Sequence, residues 1–238
     1  MAHGAMAGVP FGELRIVEGV PAAFAALVAE QAGLKAGSGE AEPFRLVLSG
    51  GSTARECYER LALRPEVDWS RVECLVGDER CVSADDPDAN QRMIREALVG
   101  RVDPPPHFVP MDCEQPPEAY EQVITASAQL DLIHLGLGPD GHTASLFPNS
   151  VALGAPADRL VVSNVDPSGR NPHLRLTMTF AGISRARLAV FTVAGSDKRE
   201  AMMRVLHQED LPAARVRAQR VLWLCDAEAI GSGPLGLG

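Results

Sequence analysis

Lysine is nearly absent from this chain. Only Lys35 and Lys198 occur among 238 residues, and every other basic side chain apart from the histidines is arginine. A lysine kept at position 198 against that bias is a mild sign that an amine is wanted there. Cysteine is also scarce in the patterns that matter. Cys57, Cys74, Cys81, Cys113 and Cys225 form no Cys-x-x-Cys pair and no His–Cys cluster at zinc spacing, so no metal centre is implied. An odd number of cysteines suits reduced thiols. No apolar run approaches the ~20 residues that cross a bilayer, and the start of the chain lacks the basic and apolar regions of a secretory leader. A cytoplasmic protein with no membrane partner is the expectation. Positive charge is not in excess either. With a formal net charge of −9, a nucleic-acid footprint is excluded as the default, and an anionic ligand needs a local cationic pocket to overcome the overall field.

What is present reads as a globular chain, 46% hydrophobic and 22% charged. Its length fits one large α/β domain, expected over residues 11–230, with 1–10 and 231–238 as flexible tails. Strand-like segments are predicted at 13–17 (a short edge strand), 44–48, 72–76, 132–137, 159–165, 173–180, 188–193 and 221–225. The run at 132–137 is short and apolar without a helical stripe, which suits a strand buried on both faces. Residues 173–180 alternate, which predicts one polar face. Helical patterns lie between these strands at 22–35, 52–61, 89–98, 118–130 and 195–206, the first packed through Phe24, Leu27, Val28 and Leu34. This alternation, without internal repeats, indicates an α/β fold with a mainly parallel sheet. Strand order cannot be read from it.

The chemistry concentrates where predicted strands end. After 132–137 comes Gly136-Leu-Gly-Pro-Asp-Gly-His-Thr-Ala-Ser-Leu-Phe-Pro148. Its glycines allow sharp turns and close ligand approach. His142 is the candidate general base, since an imidazole titrating near neutrality can take a proton from water. Asp140 either fixes the tautomer of His142 or serves as an Asx-type turn former. Gly136, Gly138 and Gly141 match the spacing of a dinucleotide fingerprint, but Asp140 would place negative charge beside a pyrophosphate and Pro148 leaves little room for the helix that motif needs. Ser49-Gly-Gly-Ser-Thr53 joins a strand to a helix start. Gly50 and Gly51 expose backbone N–H groups there, and the hydroxyls of Ser52 and Thr53 add donors for a phosphate. The strand at 72–76 runs into Gly77-Asp-Glu-Arg80, which offers the Arg80 cation at the same edge. Arg170 and Arg175 flank one turn-rich loop, and Lys198 stands in a first helical turn, where a cation is disfavoured by ~0.3–1 kcal/mol unless an anion pairs with it.

Taken together, Ser49-Gly-Gly-Ser-Thr53, Asp78-Glu-Arg80 with Asn90 downstream, the 136–148 block and Gly195-Ser-Asp-Lys198 resemble the 6-phosphogluconolactonases. The likeness runs from Phe44 to Asp226. It implies a three-layer α/β/α domain, related in fold to sugar-phosphate deaminases and isomerases. It also implies hydrolysis of 6-phosphogluconolactone to 6-phosphogluconate in the pentose phosphate pathway, without an obligatory cofactor. Carried over by motif, His142 matches the presumed base, and Arg80 and Lys198 match substrate-binding cations. The chain departs from the family pattern at Ala54, where proline is common, and at Gly169-Arg-Asn-Pro172, where Lys-Pro-Pro is frequent; whether Arg170 replaces that lysine is open. Oligomeric state is not legible.

Three other readings compete. An amino-sugar phosphate deaminase would want an acid shortly after the loop histidine, and Leu146-Phe-Pro-Asn149 supplies none. A serine hydrolase would use Gly50-Gly-Ser-Thr-Ala54 as its nucleophile elbow, which lacks the final glycine. A non-catalytic sugar-phosphate sensor would reuse the fold without needing His142.

Overall fold

The computed structural model describes residues 6–9, 11–126 and 129–231, with side chains from Phe11 onward. The chain opens with β1 (Met6–Val9) and β2 (Gly12–Ile16), then α1 (Val20–Gly37), β3 (Phe44–Leu48) and α2 (Ser52–Leu61). Next come β4 (Val72–Val76), β5 (Asp78–Arg80), α3 (Asn90–Ala97), β6 (His107–Val109) and α4 (Pro117–Thr125). The second half holds β7 (Leu130–Gly136), β8 (Val161–Asn164), β9 (Arg175–Met178), α5 (Phe180–Ile183), β10 (Ala186–Val193), α6 (Arg199–Leu206), β11 (Arg220–Cys225) and α7 (Ala227–Ile230).

Eight strands form one sheet in the order β1-β2-β11-β10-β7-β3-β4-β6. All neighbours are parallel except β1, which runs antiparallel to β2. This is the mainly parallel, helix-flanked sheet of a three-layer α/β/α domain. The central strands β3 and β7 are covered on both faces, and from Leu130 to Leu135 every residue of β7 is buried. Such strands read as apolar runs rather than alternations. On α1 the stripe Phe24, Ala25, Val28, Ala29, Ala32 faces inward, and the helix packs beside α2. The apolar core closes around Trp223, which stacks on Phe191 at 3.8 Å between ring centroids and meets the edge of Phe11 at 5.5 Å.

The winding decides where a ligand goes. From β3 the chain builds outward through β4 and β6; from β7 it builds outward the other way through β10 and β11. The reversal lies between β3 and β7, and in open parallel sheets the loops beyond the carboxyl ends of the strands diverge at that point and leave a crevice. A second sheet, β5-β9-β8, is antiparallel and opposes Arg80 to Arg175.

Several expectations are corrected. Residues 6–9, assigned to a flexible tail, are a strand, so β2 is not an edge; residues 1–5, 10 and 232–238 of the expected tails lie outside the described residues. Leu34 is 62% exposed because it sits off the 3.6-residue stripe set by Phe24, Val28 and Ala32. Strand β9 does alternate, with Arg175 and Thr177 on one face and Leu176 and Met178 on the other, but its polar face is buried rather than open to solvent, and Thr177 Oγ1 accepts the Ser145 N–H at 3.1 Å. The reduced-thiol expectation fails at Cys81 and Cys113, which form a disulfide across 32 residues, whereas Cys57, Cys74 and Cys225 are buried free thiols. Sequence spacing held no sign of that pairing; β4, which leads through β5 to Cys81, pairs with β6, which leads to Cys113, and so brings the two segments together.

Candidate active site

A cavity of about 220 Å³ opens at the β3–β7 reversal. Four loops, together with β9 and the turn before it, supply it. From the end of β3, Ser49 to Thr53 turns into α2 with Gly51 at φ +109°, a left-handed conformation that glycine adopts without strain. No side chain caps α2. Gly50 is fixed by contact rather than by torsion, because a Cβ there would lie 2.0 Å from Asn90 Oδ1.

From the end of β7 comes the His142 loop. Gly141 takes φ +88°, and Gly138 N–H donates to the His142 carbonyl at 2.9 Å. A side chain on Gly138 would strike the imidazole, with the Cβ only 2.1 Å from Nδ1. Asp140 does both of the things the sequence left open. Its Oδ1 accepts the His142 backbone N–H at 3.1 Å, closing an Asx turn, and meets Nδ1 at 2.5 Å. Partial burial alone would raise the Asp140 pKa, but the hydrogen bond and charge of His142 outweigh it and hold the carboxyl at about 2. An ionised Asp140 can only accept, so Nδ1 carries the proton and Nε2 is left as the basic nitrogen.

The β4–β5 segment and β9 supply the cations. Arg80 Nη1 donates to the Asp88 carbonyl at 2.7 Å, and Arg175 Nη1 lies 3.8 Å from Asp78 Oδ2. Asp78 in turn accepts the Ser145 hydroxyl at 2.7 Å. The Nε atoms of both Arg80 and Arg175 are buried without a partner. Burial lowers the Arg175 pKa; Asp78 works against that effect and Arg80 adds to it. Two guanidinium groups opposed across a strand pair repel, and each holds a donor in reserve, which is the arrangement an anionic ligand would relieve. The fourth loop, after β10, turns at Gly195 (φ +92°) and presents Lys198, whose Nζ is 3.6 Å from Asp197. Lys198 stands in a tight turn just ahead of α6 rather than inside the helix.

Ser52, Thr53, Arg80, His142, Arg175 and Lys198 all line this one cavity, together with Gly50 and Gly51. Arg170 does not; it is exposed on the 166–171 turn, where its N–H reaches Ser168 Oγ at 3.4 Å. Asp140 stands behind His142 rather than in the lining. Sequence reasoning missed Asn171, which lines the cavity and accepts from Arg175 at 3.4 Å, and His134 and Thr192 on the floor. Asn171 resembled one more turn former. His134 had a visible signal, a titratable residue inside an apolar run, that the run concealed. Among the described residues no group of His, Cys, Asp and Glu is arranged to hold a metal ion.

The family described as glucosamine-6-phosphate isomerases/6-phosphogluconolactonase matches residues 18–223. The chain belongs to this family. A 6-phosphogluconolactonase of Synechocystis is 41% identical over 204 residues, covering 77% of this chain and 82% of that one. The crystal structure of the Thermotoga maritima 6-phosphogluconolactonase superposes with a TM-score of 0.77 at 31% identity, covering 90% of this chain and 98% of its own. A monomeric glucosamine-6-phosphate deaminase superposes comparably, with a TM-score of 0.75 over 91% and 97% of the two chains, but at 20% identity that likeness shows only a shared fold. Family membership therefore leaves lactone hydrolysis and amino-sugar chemistry to be separated by the site residues.

Proposed function

We propose that the chain hydrolyses 6-phosphoglucono-1,5-lactone to 6-phosphogluconate, the lactone-opening step of the oxidative pentose phosphate pathway. The observation that carries this reading is the convergence of His142 with Ser52, Thr53 and Lys198 on one cavity of about 220 Å³. These residues lie far apart in sequence and line one space.

A lactone is an activated ester, so the site has to deliver water, stabilise the tetrahedral oxyanion and hold the ligand still. His142 Nε2 takes a proton from water as the oxygen attacks the carbonyl, and Asp140 steadies the resulting imidazolium. Arg80 lies toward the developing oxyanion. The phosphate rests on the Gly50–Thr53 turn and Lys198, and Arg175 completes the cationic wall. Binding of that remote dianion fixes the ring for attack, so phosphate contacts accelerate a step they do not touch. No metal or cofactor enters the scheme.

Two observations favour water attack over the competing readings. No hydrogen bond joins Ser52 to either cavity histidine among the described residues, as a serine nucleophile would need. Leu146 and Phe147 are buried in the core, and among the described residues the one cavity-lining carboxylate, Asp78, is engaged by Ser145. An amino-sugar deaminase would therefore find no free acid beside the histidine. A sugar-phosphate dianion does not cross membranes unaided, so the enzyme must share its supplier's compartment; we place it in the cytoplasm. Among the described residues no helix is long and apolar enough to span a membrane.

The test is a lactonase assay timed against spontaneous hydrolysis of the substrate. The His142→Ala variant should lose on the order of 10²–10⁴ in kcat. Wild-type-like turnover in that variant removes the base assignment, and ammonia release from glucosamine 6-phosphate would revive the deaminase.

A further inference from the structure

The cavity floor holds a chain of buried polar groups that the lactonase scheme leaves unused. His134 is fully buried in β7. Its Nδ1 is 2.9 Å from the Tyr58 hydroxyl of α2, its Nε2 is 2.8 Å from the Thr192 hydroxyl of β10, and its ring packs at a tilt against Phe24 with centroids 4.1 Å apart. The Tyr58 oxygen accepts the Ser49 N–H at 2.8 Å and stands 2.9 Å from the Ser49 carbonyl. Ser49 Oγ donates to the His134 carbonyl at 2.6 Å. Ser49, the residue just before Gly50, is thus gripped at its N–H, its carbonyl and its hydroxyl.

The elements joined are the ones that carry the site. Strands β3, β7 and β10 are adjacent, and their loops bear Ser52 and Thr53, His142, and Lys198 respectively. An imidazole and two hydroxyls at a buried junction are costly unless each is paired, and an apolar side chain would fill the same space without that requirement. What a fully paired network adds is fixed geometry. The Gly50–Gly51 turn needs it, because neither glycine has a side chain to anchor the loop.

We propose that His134 is a positioning residue for phosphate binding: by bridging Tyr58 and Thr192 it sets the separation between the Ser49–Thr53 turn and the Lys198 loop. This rests on the reading above that the phosphate lies at that end of the cavity. The imidazole is fully buried in the cavity floor and acts through the phosphate cradle, so its loss shows first in affinity, and kcat follows only as far as the bound ring loses its placement.

The test uses His134→Leu, with Tyr58→Phe and Thr192→Val as variants that keep the packing and remove one hydroxyl each. Two quantities are read: kcat and KM for the phosphorylated lactone, and the Kd of inorganic phosphate by calorimetry. Loss of one hydrogen bond of ordinary net strength should raise KM and the phosphate Kd together by up to about tenfold, with kcat within about threefold of wild type. His134→Gln, which keeps a donor and an acceptor, should recover part of the loss. A fall in kcat at unchanged KM, matching a smaller folded fraction, would reduce the network to a structural role and overturn the proposal. So would phosphate affinity that none of the variants alters. Failure of the wild type to open the lactone would instead sink the functional reading, and the phosphate measurement would still judge His134.

Discussion

Asp140 Oδ1 holds His142 twice, at 3.1 Å through the backbone N–H and at 2.5 Å through Nδ1. Turn and tautomer are therefore set by a single oxygen. Asp140→Asn should keep the turn, because an amide oxygen accepts the same N–H, but lose the charge that stabilises the imidazolium. A drop in kcat of about 10²-fold or more with little change in KM is expected. Asp140→Ala removes the turn as well and should fall further. Steady-state kinetics on the two variants would refute the paired role if both kept wild-type kcat.

Gly138 is as important to the base as Asp140, for a steric reason. With a Cβ 2.1 Å from Nδ1, Gly138→Ala must displace the imidazole. Misplacement by about 1 Å is enough for a loss on the order of 10²-fold in kcat. The thermal midpoint should fall less than the activity, because the group displaced is a partly exposed imidazole rather than a core side chain. Equal turnover in the Ala variant would mean that the imidazole tolerates another position.

Acid should destabilise the fold in two stages. Burial lowers the His134 pKa from 6.5 to about 3. The unfolded chain then takes up a proton below its own pKa that the folded chain refuses, so this stability is complete above about pH 6.5 and is lost as pH falls toward 3. Asp140, held at about 2 against an ordinary 3.8, adds stability that is complete above about pH 4 and is lost between there and 2. Melting temperatures measured from pH 8 to 3 should show a slope beginning near 6.5 in the wild type and a weaker one in His134→Leu. Identical slopes would mean that other groups govern the acid limb.

The Cys81–Cys113 bond closes a loop across 32 residues. Restricting the unfolded chain by that length contributes about 2–4 kcal/mol. Denaturant midpoints with and without reductant should differ accordingly, and Cys81→Ser with Cys113→Ser should match the reduced wild type. Cys81 follows Arg80 directly, so reduction is also expected to raise KM. Coincident unfolding curves would show that the bond adds nothing to the fold.

Much of the site was readable because its parts are local. A glycine turn between strand and helix, an Asx–His pair two residues apart, and a lysine in an otherwise lysine-poor chain each announce themselves within a few positions. The sheet was legible for a similar reason: strands such as β3 and β7, buried on both faces, have to be short and apolar. Less was visible where function depends on separation. Arg170 and Arg175 flank the same loop, yet only Arg175, drawn into the small sheet beside Arg80, faces the cavity.

The sequence by itself determined the alternation of strands and helices, the conformations open to its glycines and the chemical kinds of group at each strand end, because these follow from backbone sterics and side-chain chemistry over a handful of residues. Only the tertiary structure decided which strand ends meet, that Cys81 reaches Cys113, and that His134 joins Tyr58 to Thr192. Those outcomes depend on the order in which strands enter the sheet, and that order is fixed by how the whole chain buries its apolar surface.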